Sequence, residues 1–225
     1  MFVGHYSAAL AAKAIEPRAP LWTYVIAAQF VDIGWSAFVM GGLEKVRIDE
    51  SLPGSTLVLD SMPWTHSLPA AAAWSIIGGL LTLAMLKSWR CSLIAGAVVF
   101  SHWLLDLAVH RPDLELWFGG TKVGFGLWNF PVPEQALEIG LLGLAGMYWA
   151  AQRVQAGRTV WPAAVFVSLL VVVQVVAMFS PPTGGPVQIG MSALAIYLGV
   201  AAVAWLVERG QGAAGERLRA RPDRA

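Results

Sequence analysis

The sequence predicts an all-α fold, a polytopic transmembrane helical bundle of about six spans with a short helix ahead of them. Three observations predict it. Of the 225 residues, 57% are hydrophobic and only 13% charged, with a mean hydropathy of +0.62, well outside the usual range of soluble domains. Apolar stretches recur at the length needed to cross a hydrocarbon core, about 20 residues at ~1.5 Å each. Eleven tryptophans fit the same class, because indoles favour the bilayer interface.

Taken in order, residues 2–15 read as a helix too short to span, ended by Glu16-Pro17-Arg18-Ala19-Pro20. This start lacks the basic region of a secretory signal and is expected to remain in the mature protein. The spans are expected at 20–41, 67–87, 90–110, 133–152, 160–180 and 187–207. The last two hold few polar residues and read as packing helices, which places function within residues 1–140. Residues 1–208 form one transmembrane domain. After Glu208 the composition turns to Gly, Ala and Arg, so 209–225 is expected to be a disordered, basic cytoplasmic tail able to touch anionic lipid.

Eleven of the fifteen Lys and Arg fall on one side of this topology; Lys45, Arg47, Arg111 and Lys122 fall on the other. By the positive-inside rule both termini are cytoplasmic, with the 42–66 and 111–132 loops outside. A net charge of +1 excludes nucleic acid as a partner, since phosphate binding needs a concentrated basic face. The lone Cys91 excludes a thiolate metal cluster, so any metal here uses His and carboxylate ligands.

The run Ser101-His102-Trp103-Leu104-Leu105-Asp106-Leu107-Ala108-Val109-His110 carries the chemistry. His102, Asp106 and His110 stand four apart on one helical face, and burying such groups in lipid-length apolar sequence is costly unless they pair or bind something. Counting ~1.5 Å per residue from the cytoplasmic ends puts Asp32 and His102 roughly 18 Å deep and Asp106 roughly 24 Å. Glu138, entering from the outer side, lands near the level of Asp106. His66 reaches this layer only if the 42–66 loop folds inward, and His5 only if the short N-terminal helix inserts.

A catalytic zinc site takes about three His or carboxylate ligands and leaves a place for water, whose pKa falls to about 7. His102 and Asp106, at i and i+4, can reach one ion. His110, roughly 12 Å along the axis from His102, is expected at the outer mouth instead, serving a second ion, a substrate phosphate or proton transfer. Manganese, magnesium or iron would also suit the oxygen-rich members, with zinc preferred.

Gly4-His5, Val31-Asp32-Ile33, Thr65-His66-Ser67 and His102-Trp103-Leu104-Leu105-Asp106 occur in an order that resembles a bacterial family of inner-membrane proteins described as membrane-bound metal-dependent hydrolases. The pattern is similar to that of zinc-dependent phospholipase C relatives. The resemblance covers the first half of the chain. It implies that His5, Asp32, His66, His102 and Asp106 are the metal set, in a bacterial inner membrane. Two departures stand out. Asp32 is followed by Ile33-Gly34 where the family often has Asp-x-Asp, and Asp60 stands where an additional His often precedes Thr-His-Ser.

The expected function is therefore hydrolysis, by metal-activated water, of a phosphoester or other ester in a lipid-like or amphiphilic substrate. Glu138 is the candidate general base and His110 the second candidate catalytic residue. The bilayer is the one partner implied. Two alternatives stand beside it: a proton- or ion-coupled permease with the His and Asp residues as a relay, and a structural or partner-binding membrane subunit.

Overall fold

The computed structural model describes residues 1–219, with side chains to Arg209. It is mostly helical: α1 (His5–Ile15), α2 (Leu21–Ala28), α3 (Phe30–Met40), α4 (Leu68–Leu86), α5 (Trp89–Val109), α6 (Pro131–Gln155), α7 (Trp161–Phe179) and α8 (Pro186–Arg219). Two small antiparallel hairpins decorate one end, β1 (Lys45–Ile48) with β2 (Leu57–Ser61) and β3 (Leu114–Glu115) with β4 (Lys122–Val123). The sequence reading took these as plain loops.

Among the described residues, four helices are long and apolar enough to cross a membrane: α4, α5, α7 and α8 as far as Arg209. The pair α2 and α3 makes a fifth if it counts as one broken span. The expectation of about six is therefore met only as far as five, the remaining stretch being 133–152. The helix is there, and long enough, but Gln135, Glu138, Gln152 and Arg153 make α6 too polar to count by composition. Its polar residues turn inward, where Glu138 meets the start of α1.

The expected first span, 20–41, is also not one rod. It bends by 50° at Gln29, whose backbone (φ −108°, ψ 11°) leaves the helical region. Breaking a helix frees carbonyls that the interior then has to satisfy. One of them, Ala28 O, becomes part of the site described below.

The α4–α5 hairpin shows how local sequence sets geometry. Ser67 caps α4 by accepting from Ala70 N, with Pro69 in the first turn; Lys87 ends it in the left-handed conformation (φ 52°). Ser88 then caps α5 through Cys91 N. Small residues let the two helices touch. Ser75 Oγ donates to Gly96 O at 2.7 Å and Ser92 Oγ to Gly79 O at 2.8 Å, while the opposite face of α4 exposes Ile76, Leu80 and Leu81 to lipid.

Helix α1 is short, and it is buried in the bundle against α2, α5 and α6. Tyr6, Ala9 and Leu10 are fully enclosed. The backbone of α8 continues to Arg219, well into the stretch expected to be a disordered tail, and residues 220–225 lie outside the described residues.

Candidate functional site

The site forms where the break between α2 and α3 faces the outer half of α5, with α1 pushed in from one side and the turn after β2 from the other. His5, His66, His102, His110, Asp32 and Asp106 all meet there. Every one except Asp32 is almost fully buried.

Helix α5 presents His102 and Asp106 one turn apart, with His102 Nε2 3.2 Å from Asp106 Oδ2. The other ring nitrogen fixes the orientation. His102 Nδ1 lies 2.8 Å from Ala28 O, and a carbonyl can only accept, so Nδ1 carries a proton and Nε2 is the nitrogen turned to the carboxylates. The freed carbonyl at the helix break is thus what aims His102. Asp32, in the first turn of α3, places Oδ1 3.4 Å from the same Nε2.

His66 is held by a relay that the sequence did not announce. Glu44 accepts from Trp64 N, Thr65 N and the Thr65 hydroxyl at 2.9, 2.9 and 2.7 Å. The Thr65 hydroxyl has one proton and gives it to Glu44. His66 Nδ1, 2.7 Å from Thr65 Oγ1, is then the donor, and its Nε2 is also turned to the carboxylates. That Nε2 stands 3.3 Å from Asp32 Oδ1 and 3.7 Å from Asp106 Oδ2.

His110 repeats the pattern. It caps α5 with its φ still helical (−62°) and its amide bonded to Asp106 O at 2.8 Å, so its side chain follows Asp106 one turn on along the same face. Nδ1 donates to Asp113 Oδ1 at 2.8 Å, Nε2 lies 3.3 Å from Asp106 Oδ1, and the ring packs on Trp128 at 4.0 Å. The expected placement at a separate outer mouth is corrected: Asp106 lies between His102 and His110 on one face and contacts both rings. Asp113, which the sequence presents as part of a wet turn, is the group that orients this ring. The loop behind it needs Gly124, where an added Cβ would collide with the carbonyls of His110 and Arg111.

His5 stacks flat on His102, centroids 3.7 Å apart and planes within 5°, with Nε2 3.1 Å from Asp106 Oδ1. The Met1 amino group lies 2.7 Å from the same oxygen. Both His5 nitrogens and His102 Nε2 are buried with no hydrogen-bond partner.

Two aspects of the arrangement bear on a cation. Ring nitrogens and carboxylate oxygens face one another in a dry interior, which is unfavourable unless positive charge lies between them. Part of the spacing also suits a coordination shell, three ligand atoms at a time. Ligands about 2.0–2.1 Å from zinc in a tetrahedron lie about 3.3–3.4 Å from each other. The four contacts between the nitrogens of His66 and His102 and the oxygens of Asp32 and Asp106 measure 3.3, 3.7, 3.4 and 3.2 Å. Two overlapping groups have ligand atoms close enough to hold a metal: His66, His102 and Asp106, and His5, Asp32 and His102. All five residues of the expected metal set are therefore brought together.

Glu138 is placed differently. Its carboxylate accepts from Phe2 N at 3.0 and 2.9 Å and from Gly4 N at 2.9 Å, tying down the start of α1. Those two N–H donors leave lone pairs on the carboxylate, which also lines the cavity. Asp60 lies exposed on β2, 3.3 Å from Arg47 Nε, and does not join the cluster. The expectation that function ends at residue 140 is corrected too. Tyr197, on α8, donates to Asp32 Oδ2 at 3.0 Å, and residues of α7 and α8 line the cavity next to the site. Glu44, Ala28 and Tyr197 had no readable signal: each is a single residue, distant in the chain, whose role exists only through contact.

No family model matches the chain, and neither does any curated protein or solved structure.

Proposed function

We propose that the protein is a membrane-embedded metal-dependent hydrolase, holding zinc between His66, His102, Asp106 and Asp32. One observation carries this: His66 and His102 both commit Nδ1 to an outer partner, so their Nε2 lone pairs converge with two carboxylates at the edge length of a zinc tetrahedron. A zinc ion there supplies acidification of water to a pKa of about 7 and polarisation of an ester oxygen.

The chain's own groups account for the rest. His110, oriented by Asp113, offers Nε2 as the base that takes a proton from the attacking water and returns it to the leaving oxygen. Glu138 holds α1, and through it His5, against the site. Tyr197 keeps Oδ2 of Asp32 occupied so that Oδ1 faces the histidines. Substrate reaches these groups through a cavity of about 540 Å³ lined by Asp32, His66, Asp106 and His110, within the usual size of small-molecule sites. A phosphoester or other ester of an amphiphile is the substrate class. The α2–α3 pair and α6 complete six crossings, α6 with its polar residues turned inward. The setting is a bacterial inner membrane with the C-terminus cytoplasmic and the N-terminus drawn into the bundle beside Asp106.

Protein purified without chelator is expected to carry about one zinc per chain, falling to under about a tenth in His102→Ala and Asp106→Ala. His110→Ala should keep the metal and lose about 100-fold or more in hydrolysis of a chromogenic phosphodiester. Metal-free wild-type protein by elemental analysis would sink the proposal.

A further inference from the structure

The cavity beside the metal-ligand cluster has a second polar wall and a mouth that hydrolysis alone does not explain. The wall is a ladder from α7 to α6. Gln174 Nε2 donates to Gln135 Oε1 at 2.8 Å, and Gln135 Nε2 donates to Glu134 Oε2 at 2.6 Å. With Glu134 Oε2 accepting from Gln135, the Gln135 amide turns its oxygen to Gln174, and the Gln174 amide turns its own oxygen away from the ladder. The ladder ends in Gln174 Oε1, an acceptor that is buried without a partner in a residue only 3% exposed, on the cavity lining. An unmatched buried acceptor is costly, and a donor from a bound molecule removes that cost. None of the described lining residues is Lys or Arg. The wall therefore reads donors on its occupant.

The mouth lies between two membrane-crossing helices. Ala177 and Met178 of α7 and Ser192 and Ile196 of α8 line the cavity and are also exposed on the outside of the bundle. Their exposed neighbours Val175, Val176 and Phe179 are apolar, as on a face that meets lipid. The cavity thus reaches the apolar gap between α7 and α8 at one side and the Ser180–Thr183 turn at its end.

We infer that the substrate is a bilayer lipid ester whose chain lies between α7 and α8 and whose head carries an N–H or O–H donor, read by Gln174 and Glu134. The choice of an ester rests on the hydrolase proposal; the chain path and the donor rest on the cavity. Hydroxyl and ammonium heads share the required chemistry. A choline head, cationic without a donor, separates hydrogen bonding from charge.

The test is calorimetric titration of the detergent-solubilised full chain, stripped of metal by chelator so that no turnover occurs. The probes are dihexanoyl phosphatidylethanolamine, phosphatidylglycerol, phosphatidylcholine and phosphatidylmethanol, together with the water-soluble head glycerophosphoethanolamine. The ethanolamine or glycerol lipid is expected to bind about tenfold more tightly than the choline and methyl lipids, and Gln174→Leu is expected to abolish the difference. Met178→Trp and Ile196→Trp, both at exposed positions, should weaken the chain-bearing lipids while leaving the soluble head unaffected. Equal affinity for all four heads overturns the inference, as does preference surviving in Gln174→Leu or mouth variants without effect on lipid binding. Because the titration uses metal-free protein, its outcome is independent of zinc content. If protein purified without chelator holds no zinc and the titration still discriminates heads, the hydrolase proposal falls and the donor site stands.

Discussion

The two ends of α1 each bury ionisable groups, and they do so in opposite ways. At its C-terminal end every charge is answered. Lys13 Nζ meets Glu208 Oε1 at 2.6 Å, Pro17 O at 3.0 Å and Ala19 O at 2.7 Å, three acceptors for three protons. The other oxygen of Glu208 accepts from Leu21 N. Glu16 is held by Arg18 at 2.7 and 2.8 Å, with Arg90 at 3.4 Å. At the N-terminal end, His5 and His102 leave ring nitrogens without hydrogen bonds, and two carboxylates face imidazole nitrogens. The first cluster is complete as a piece of structure. The second has the Met1 ammonium on Asp106 but leaves those ring nitrogens unmatched, and that difference separates a clasp from a site.

The contrast is broken most forcefully at Lys13. Lys13→Met leaves Glu208 and two carbonyls without their donor, and is expected to cost about 3–5 kcal/mol in reversible unfolding. Adding Glu208→Gln should recover part of that loss. A change under about 1 kcal/mol would mean that the pair is no clasp.

Asp32→Asn tests the opposite sign at the other end. An amide nitrogen in place of Oδ1 can donate to the lone pairs of His66 and His102, so the metal-free protein should gain about 1 kcal/mol of stability. Zinc affinity, measured by chelator competition, should fall about 100-fold. Destabilisation together with unchanged zinc affinity would show that the cluster is another clasp.

The smallest effect concerns Glu16. Its hydrogen bonds to Arg18 hold its carboxyl down at about 2, despite the opposing effect of burial. A depressed carboxylate contributes stability that is present above its unfolded value, ~4.3, and lost as pH falls through the folded one. Glu16→Gln should therefore unfold more easily at pH 7, by about 0.5 kcal/mol given the exposed arginines, and the two proteins should converge towards pH 2. A difference that persists at pH 2 would point to packing instead of charge.

Much of the bundle was legible because hydrophobic length is a local property. A run such as Leu68–Leu86 or Trp161–Phe179 declares itself within its own residues. Ligand identity was legible for the same reason: a carboxylate and imidazoles cannot sit in such sequence without partners, and His102 with Asp106 forms a pair within a single helical turn. What spacing could not carry was direction. Counting along a rod set His110 apart, although Asp106 lies within one turn of both rings, and it could not show that Glu138 receives the backbone N–H groups of Phe2 and Gly4.

The sequence by itself determined that the chain is helical and apolar, and that its four histidines and buried acids need one another. Tertiary structure alone decided which nitrogen each histidine presents. It did so through the Ala28 carbonyl at a broken helix, the Glu44–Thr65 relay and Asp113, and it brought α7 and α8 into the cavity wall. The physical reason is that a hydrogen bond between residues 74 positions apart, such as His102 to Ala28, leaves no mark on the local pattern of either partner.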